Sequence, residues 1–141
     1  MKPFEEYLKE GIIRKITRDK DRSLNLKKEA TRKLASLNER IDKIGVRDDN
    51  SNEYVEQCYD VIMFLIRSHL FNKGYKSQGI GAHEAEISYL EKLGIGKKDI
   101  IFVDKLRYYR NRILYYGRQF DKEYAEKVID FLNKIYQRLS A

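Results

Sequence analysis

The chain has one cysteine, Cys58, so neither an internal disulfide nor a zinc cluster built on several cysteines can form. Val55, Tyr59 and Ile62 surround it at helical spacing, which predicts a buried thiol with no chemical role. The one proline, Pro3, sits where it can open a first helix. Long apolar runs are missing. The longest, Val61 to Ile66, is far too short to span a bilayer, and MKPFEEYLKE lacks the apolar core of a signal peptide, so a cytoplasmic location and no membrane partner are expected. There is no GxGxxG after a strand, no GxxxxGK[ST] loop, no HExxH and no local Ser-His-Asp pattern. The two histidines, His69 and His83, lie on different segments without ligand spacing, so no metal and no cofactor is expected.

What remains is a charged chain of one-domain size. At 141 residues and 42% hydrophobic content it can bury one real core, and a single domain over residues 1–141 is expected. Charged residues make up 36%, with a net charge of +7 and acids spread among the bases. That balance suits a helical domain with a basic face, for which a nucleic acid is a reasonable partner and a membrane surface a weaker one.

Helical periodicity dominates, with almost no competing strand pattern. Residues 3–18 carry Phe4, Leu8, Ile12 and Ile16 at spacings of four. The polar stretch Arg18 to Ser23 is a break, with Asp21 or Ser23 as N-cap of a second helix over about 23–44. That helix carries Leu34, Leu37, Ile41 and Ile44, and Gly45 is placed to end it in a left-handed cap. Asn50 and Glu53 resemble a capping box that opens the third helix, with Val55, Cys58, Ile62, Leu65, Ile66 and His69. It is the most hydrophobic helix and should be central, with His69 a satisfied boundary residue. Gly74 to Ala82 should be an irregular loop, followed by a short helix over about 82–93. A long helix over about 99–117 follows, and Asp121 caps the last one, whose stripe runs from Tyr124 to Leu139. The fold class expected is all-α: an antiparallel bundle of four long helices plus a short extra one.

Function is expected in Leu106 to Arg118, where arginine and tyrosine cluster inside an apolar helical repeat. At ~100° per residue, Phe102, Val103, Leu106, Tyr109, Ile113 and Gly117 share a face, with Arg110 among them. Arg107, Asn111, Tyr115 and Arg118 line a second stripe, with no acid between Lys105 and Arg118. Phosphate or a nucleotide suits such a stripe. The plainer alternative is that the arginines lay their stems on an apolar face with their heads in water, and that the tyrosines pack with hydroxyls at the rim. His83 follows a glycine-rich loop and precedes Glu84 and Glu86. It is a further phosphate-binding candidate, although glutamates there are also what a helix N-terminus prefers.

Arg110-Asn111-Arg112-Ile113-Leu114-Tyr115 resembles the signature of the HEPN superfamily, in which Arg, a polar residue, three further residues and His stand late in an all-helical bundle. Gly74-Tyr75-Lys76-Ser77 with His83-Glu84-Ala85 resembles the loop and short helix before that signature. The resemblance covers nearly the whole chain and implies a HEPN-like bundle. It makes Arg110, Asn111 and Tyr115 the catalytic candidates, and Arg107, Tyr116, Arg118 and His83 additional phosphate contacts. In the family the arginine and histidine serve metal-independent RNA cleavage by a 2′-hydroxyl. Tyr115 stands in the histidine's place here. A phenol near pKa ~10 is almost wholly protonated at neutral pH, whereas an imidazole near ~6.5 exchanges protons.

The resemblance therefore implies an RNA- or nucleotide-phosphate-binding protein with weak or lost ribonuclease activity. It also implies a homodimer with two motif helices facing across a cleft, and a nucleotidyltransferase partner in a toxin–antitoxin-like pair. In some members a tyrosine near the motif accepts a transferred nucleotide, which points to Tyr115 or Tyr116. Two other readings stay open: an active metal-independent endoribonuclease using Arg110 and a tyrosine, and a helical protein–protein subunit of a nucleotidyltransferase.

Overall fold

A computed structural model describes residues 1–141. Four long helices carry the fold: α2 (Lys20–Ile44), α3 (Ser51–Lys73), α5 (Lys97–Tyr116) and α6 (Lys122–Leu139). Two short ones, α1 (Phe4–Lys9) and α4 (Ala82–Ser88), close one end, and α4 runs on as a 3-10 segment, Tyr89–Leu93. The class is all-α, and no helix is long and apolar enough to cross a membrane.

α3 is the axis of the molecule. Thirteen of its 23 residues are buried, so it carries no solvent face of any width and must be covered by several neighbours. α2 covers one side antiparallel to it, with Ser23 bonded to Ser68 at one end and Arg40 paired with Glu53 at the other. α6 lies parallel to α3, Asn52 meeting Phe120 and His69 meeting Leu139. α5 runs antiparallel to both and packs through Val103, Leu106 and Ile113. Each fully buried Leu, Ile or Val contributes about 1.5–3 kcal/mol, and this core fixes α3 and α5 side by side.

Several local expectations are corrected. The first helix ends at Lys9, because Gly11 turns the chain at φ 77°, and Ile13–Lys15 form strand β1. Ile13 is the buried residue there; Ile12 and Ile16, which suggested a continuing helical stripe, are only half-buried. The segment expected as an irregular loop contributes β2 (Tyr75–Ser77), antiparallel to β1 with Arg14 opposite Lys76. Three-residue strands have no period to detect. Gly74 is what lets the pair form: its φ is 80°, and a Cβ would stand 2.7 Å from the Ile16 carbonyl oxygen.

α2 begins at Lys20, with Asp19 accepting from the Arg22 amide at 3.0 Å, rather than at Asp21 or Ser23. Gly45 ends it at positive φ, but its ψ of 175° is extended rather than left-handed helical. The expected capping box does not form. Asn50 accepts from the Arg47 amide and donates to the Gly45 carbonyl, and Glu53 pairs with Arg40. Asp121 does cap its helix, accepting from the Tyr124 amide at 2.8 Å, and Gly117 ends α5 in the left-handed region.

Candidate functional site

α3, α4 and α5 meet along a half-buried polar seam. Gly81, at φ 84°, starts α4 so abruptly that His83, Glu84 and Glu86 all fall against the two long helices. A charge inside the most apolar helix needs a partner, and Arg67 of α3 finds it in Glu86, which is 2% exposed. The guanidinium grips that carboxylate at 2.8 and 3.1 Å. Its Nη2 also donates to His83 Nε2 at 3.1 Å. That nitrogen must therefore be the acceptor, which leaves the proton on Nδ1, 3.0 Å from the Tyr59 hydroxyl. Burial, and then the charge of Arg67, push the His83 pKa below its ordinary value, so the imidazole is held neutral. Burial pushes the Tyr59 phenol up.

The α5 arginines differ from one another. Arg107 lies against α4, donating to Asp104 at 2.9 Å and standing 3.5 Å from Glu84, which also accepts from the Tyr7 hydroxyl. Its charge is thus met by Asp104 three residues earlier on α5 and by Glu84 across space, which corrects the view of an unopposed basic stripe. Arg110 points at α3, its guanidinium carbon 5.5 Å from the centroid of the Tyr59 ring. It makes no hydrogen bond. Its nearest carboxylate, Asp60, is 3.9 Å away, and its Nε is buried with no acceptor although the side chain as a whole is 23% exposed. Glu56 stands on the same side, its carboxyl held above the usual range by burial, against an opposing effect of Arg110.

The other expected site residues are dispersed. Tyr115 is five positions beyond Arg110, about 140° round the helix, and is 76% exposed; Tyr116 is 71% exposed beneath the Arg112 guanidinium. Asn111 lies between the two faces, half-buried. Arg118 follows the turn at Gly117 and rests on Phe120 and Tyr109, away from Arg107. So His83 and Arg107 gather with Arg110 around the seam, while Tyr115, Tyr116 and Arg118 do not.

Tyr59, Asp60, Arg67 and Glu86 belong to the seam and were missed from sequence. Arg67, the charge that breaks the run Val61 to Ile66, was the available signal. No three His, Cys, Asp or Glu side chains converge as metal ligands. Comparison with family models, with curated proteins and with solved structures finds no match for this chain.

Proposed function

We propose that the chain is a HEPN-like protein that binds a phosphate of RNA or of a nucleotide at Arg110, with weak or lost ribonuclease activity. One observation carries the reading: Arg110 has a buried Nε with no hydrogen-bond acceptor, beside Arg67 and Arg107, which are both paired with carboxylates; the Arg112 Nε is likewise unmet, but its guanidinium lies over the exposed Tyr116 ring. An unmet buried donor is costly, and a phosphate oxygen is the acceptor a guanidinium fits best. Asp60, at 3.9 Å, accepts no bond that a phosphate would have to replace.

The same geometry argues for slow chemistry. Tyr115 lies on another face from Arg110 and carries a phenol, and both nitrogens of His83 are engaged by Tyr59 and Arg67. A missing, well-placed acid–base group forfeits about 10²- to 10⁴-fold in rate. The homodimer belongs to this reading, supported by the exposed aromatic side chains Tyr108, Tyr115 and Tyr116 on α5, and so does a nucleotidyltransferase partner.

RNA binding and cleavage, measured together in EDTA, test it. Binding with little cleavage is expected, weakened tenfold or more, about 1.4 kcal/mol, by Arg110→Ala. Tyr115→His alone is expected to leave cleavage weak, because position 115 stands about 140° round α5 from Arg110. Robust cleavage by the unaltered protein would replace this reading with the active endoribonuclease. Absence of both binding and cleavage, together with co-purification of a nucleotidyltransferase, would favour the partner-subunit reading.

A further inference from the structure

A second surface, on the opposite side of α5, is built differently from the seam. The rings of α5 and α6 hold a groove of about 550 Å³ open between the two helices, where the chain turns from Gly117 to Asp121. Its floor is aromatic: Tyr109, Phe120 and Tyr124 form a triangle with ring centroids 4.9–5.5 Å apart, and Phe102 stacks on Phe131 beside them. Its rim is cationic. Lys98 and Lys105 come from α5, Arg118 from the turn and Lys127 from α6.

None of these four cations has a carboxylate within ion-pairing distance, in contrast to Arg67 and Arg107. The one acid in the lining, Asp121, is engaged in capping α6. The Arg118 guanidinium lies over this floor, 4.7 Å from the Phe120 centroid and 5.2 Å from that of Tyr109, and the residue is exposed, so the group is open to a ligand. A planar guanidinium supported on aromatic rings is a surface on which a nucleobase stacks. The ammonium groups that line the same groove on flexible stems are suited to phosphates.

We propose that this groove binds a nucleotide, its base stacked on Arg118 and its phosphates met by Lys98, Lys105 and Lys127. The volume suits a mononucleotide, since small-molecule sites span about 300–1,000 Å³, and the site does not depend on Arg110. Burial pushes the Tyr124 phenol further above its ordinary value, so no phenolate stands in the lining at neutral pH.

Isothermal titration of the full chain with ATP, AMP, adenosine, inorganic tripolyphosphate and a short 5′-phosphorylated oligoribonucleotide tests the proposal. ATP should bind more tightly than either adenosine or tripolyphosphate, because base and phosphate contribute together. Arg118→Ala should weaken ATP by roughly 5- to 150-fold, the span of one stacking contact, with Arg118→Lys keeping only the charge-dependent part. Lys98→Gln with Lys105→Gln should flatten the salt dependence of binding. Preference for AMP or for the oligonucleotide identifies the source of the nucleotide as free or as an RNA end. Tripolyphosphate binding as tightly as ATP, equal loss in Arg110→Ala and Arg118→Ala, or no binding of any nucleotide at millimolar concentration would each overturn it. Arg118 is exposed, and a circular dichroism spectrum unchanged in the variants confirms that folding is not what is being read.

Discussion

Arg67→Met would strand the Glu86 carboxylate in the seam between α3 and α4. Glu86 is 2% exposed, and Arg67 supplies both of its ionic hydrogen bonds, at 2.8 and 3.1 Å. Removing one partner of a fully buried pair costs about 3–5 kcal/mol, because the remaining charge is left unpaired in a poorly solvating interior. The Arg67 side chain is 26% exposed, so water can reach part of the vacated space, which lowers the expected loss to about 2–3 kcal/mol. In a chain of this size that is a fall in Tm of roughly 7–10 °C. Glu86→Gln should cost less, because the partly exposed guanidinium of Arg67 can turn toward water. Arg67→Met with Glu86→Leu should recover much of the loss, since an apolar pair leaves no buried charge. Urea denaturation of the wild type, Arg67→Met, Glu86→Leu and the double variant gives the full cycle. A loss below about 1 kcal/mol for Arg67→Met, or a double variant no more stable than the worse single one, would show that the pair is a surface contact and does not organise the seam.

Two further outcomes follow from local geometry. His83 has a depressed pKa in the folded chain, so the unfolded chain binds the extra proton; its contribution is present above about pH 6.5 and is lost as pH falls toward the folded value. His83→Gln should therefore flatten the decline in stability between pH 7 and pH 5 measured by urea titration, and a decline of unchanged steepness would assign it to carboxylates. Gly74 and Gly117 both sit in the left-handed region, but only at Gly74 does a Cβ meet backbone, 2.7 Å from the Ile16 oxygen. Gly74→Asn should lose about 1–3 kcal/mol and Gly117→Asn about 0.5 kcal/mol or less, since asparagine tolerates the dihedral but cannot shed its Cβ; equal losses in thermal melts would refute the contact.

The four long helices were legible because their causes are local. A 3.6-residue repeat, a capping Asp121 and a terminating Gly117 act within a few residues of where they stand, and the apolar surplus of α3 announced its central place. Cys58 was legible as a buried thiol for the same reason. The β1–β2 pair was not, since Arg14 and Lys76 are joined by backbone hydrogen bonds that leave no side-chain period in either short segment. Nor was the charge balance of α5. The sequence between Lys105 and Arg118 holds no acid, yet Glu84 and Asp60 arrive from other helices to stand near Arg107 and Arg110. Sequence alone determined a basic all-helical chain with an arginine- and tyrosine-rich helix. Only the packing of α3, α4 and α5 decided that Arg67 is satisfied while the buried Nε atoms of Arg110 and Arg112 are left without an acceptor, because hydrogen bonds and ion pairs depend on separations of about 3 Å between atoms that lie tens of residues apart in the chain.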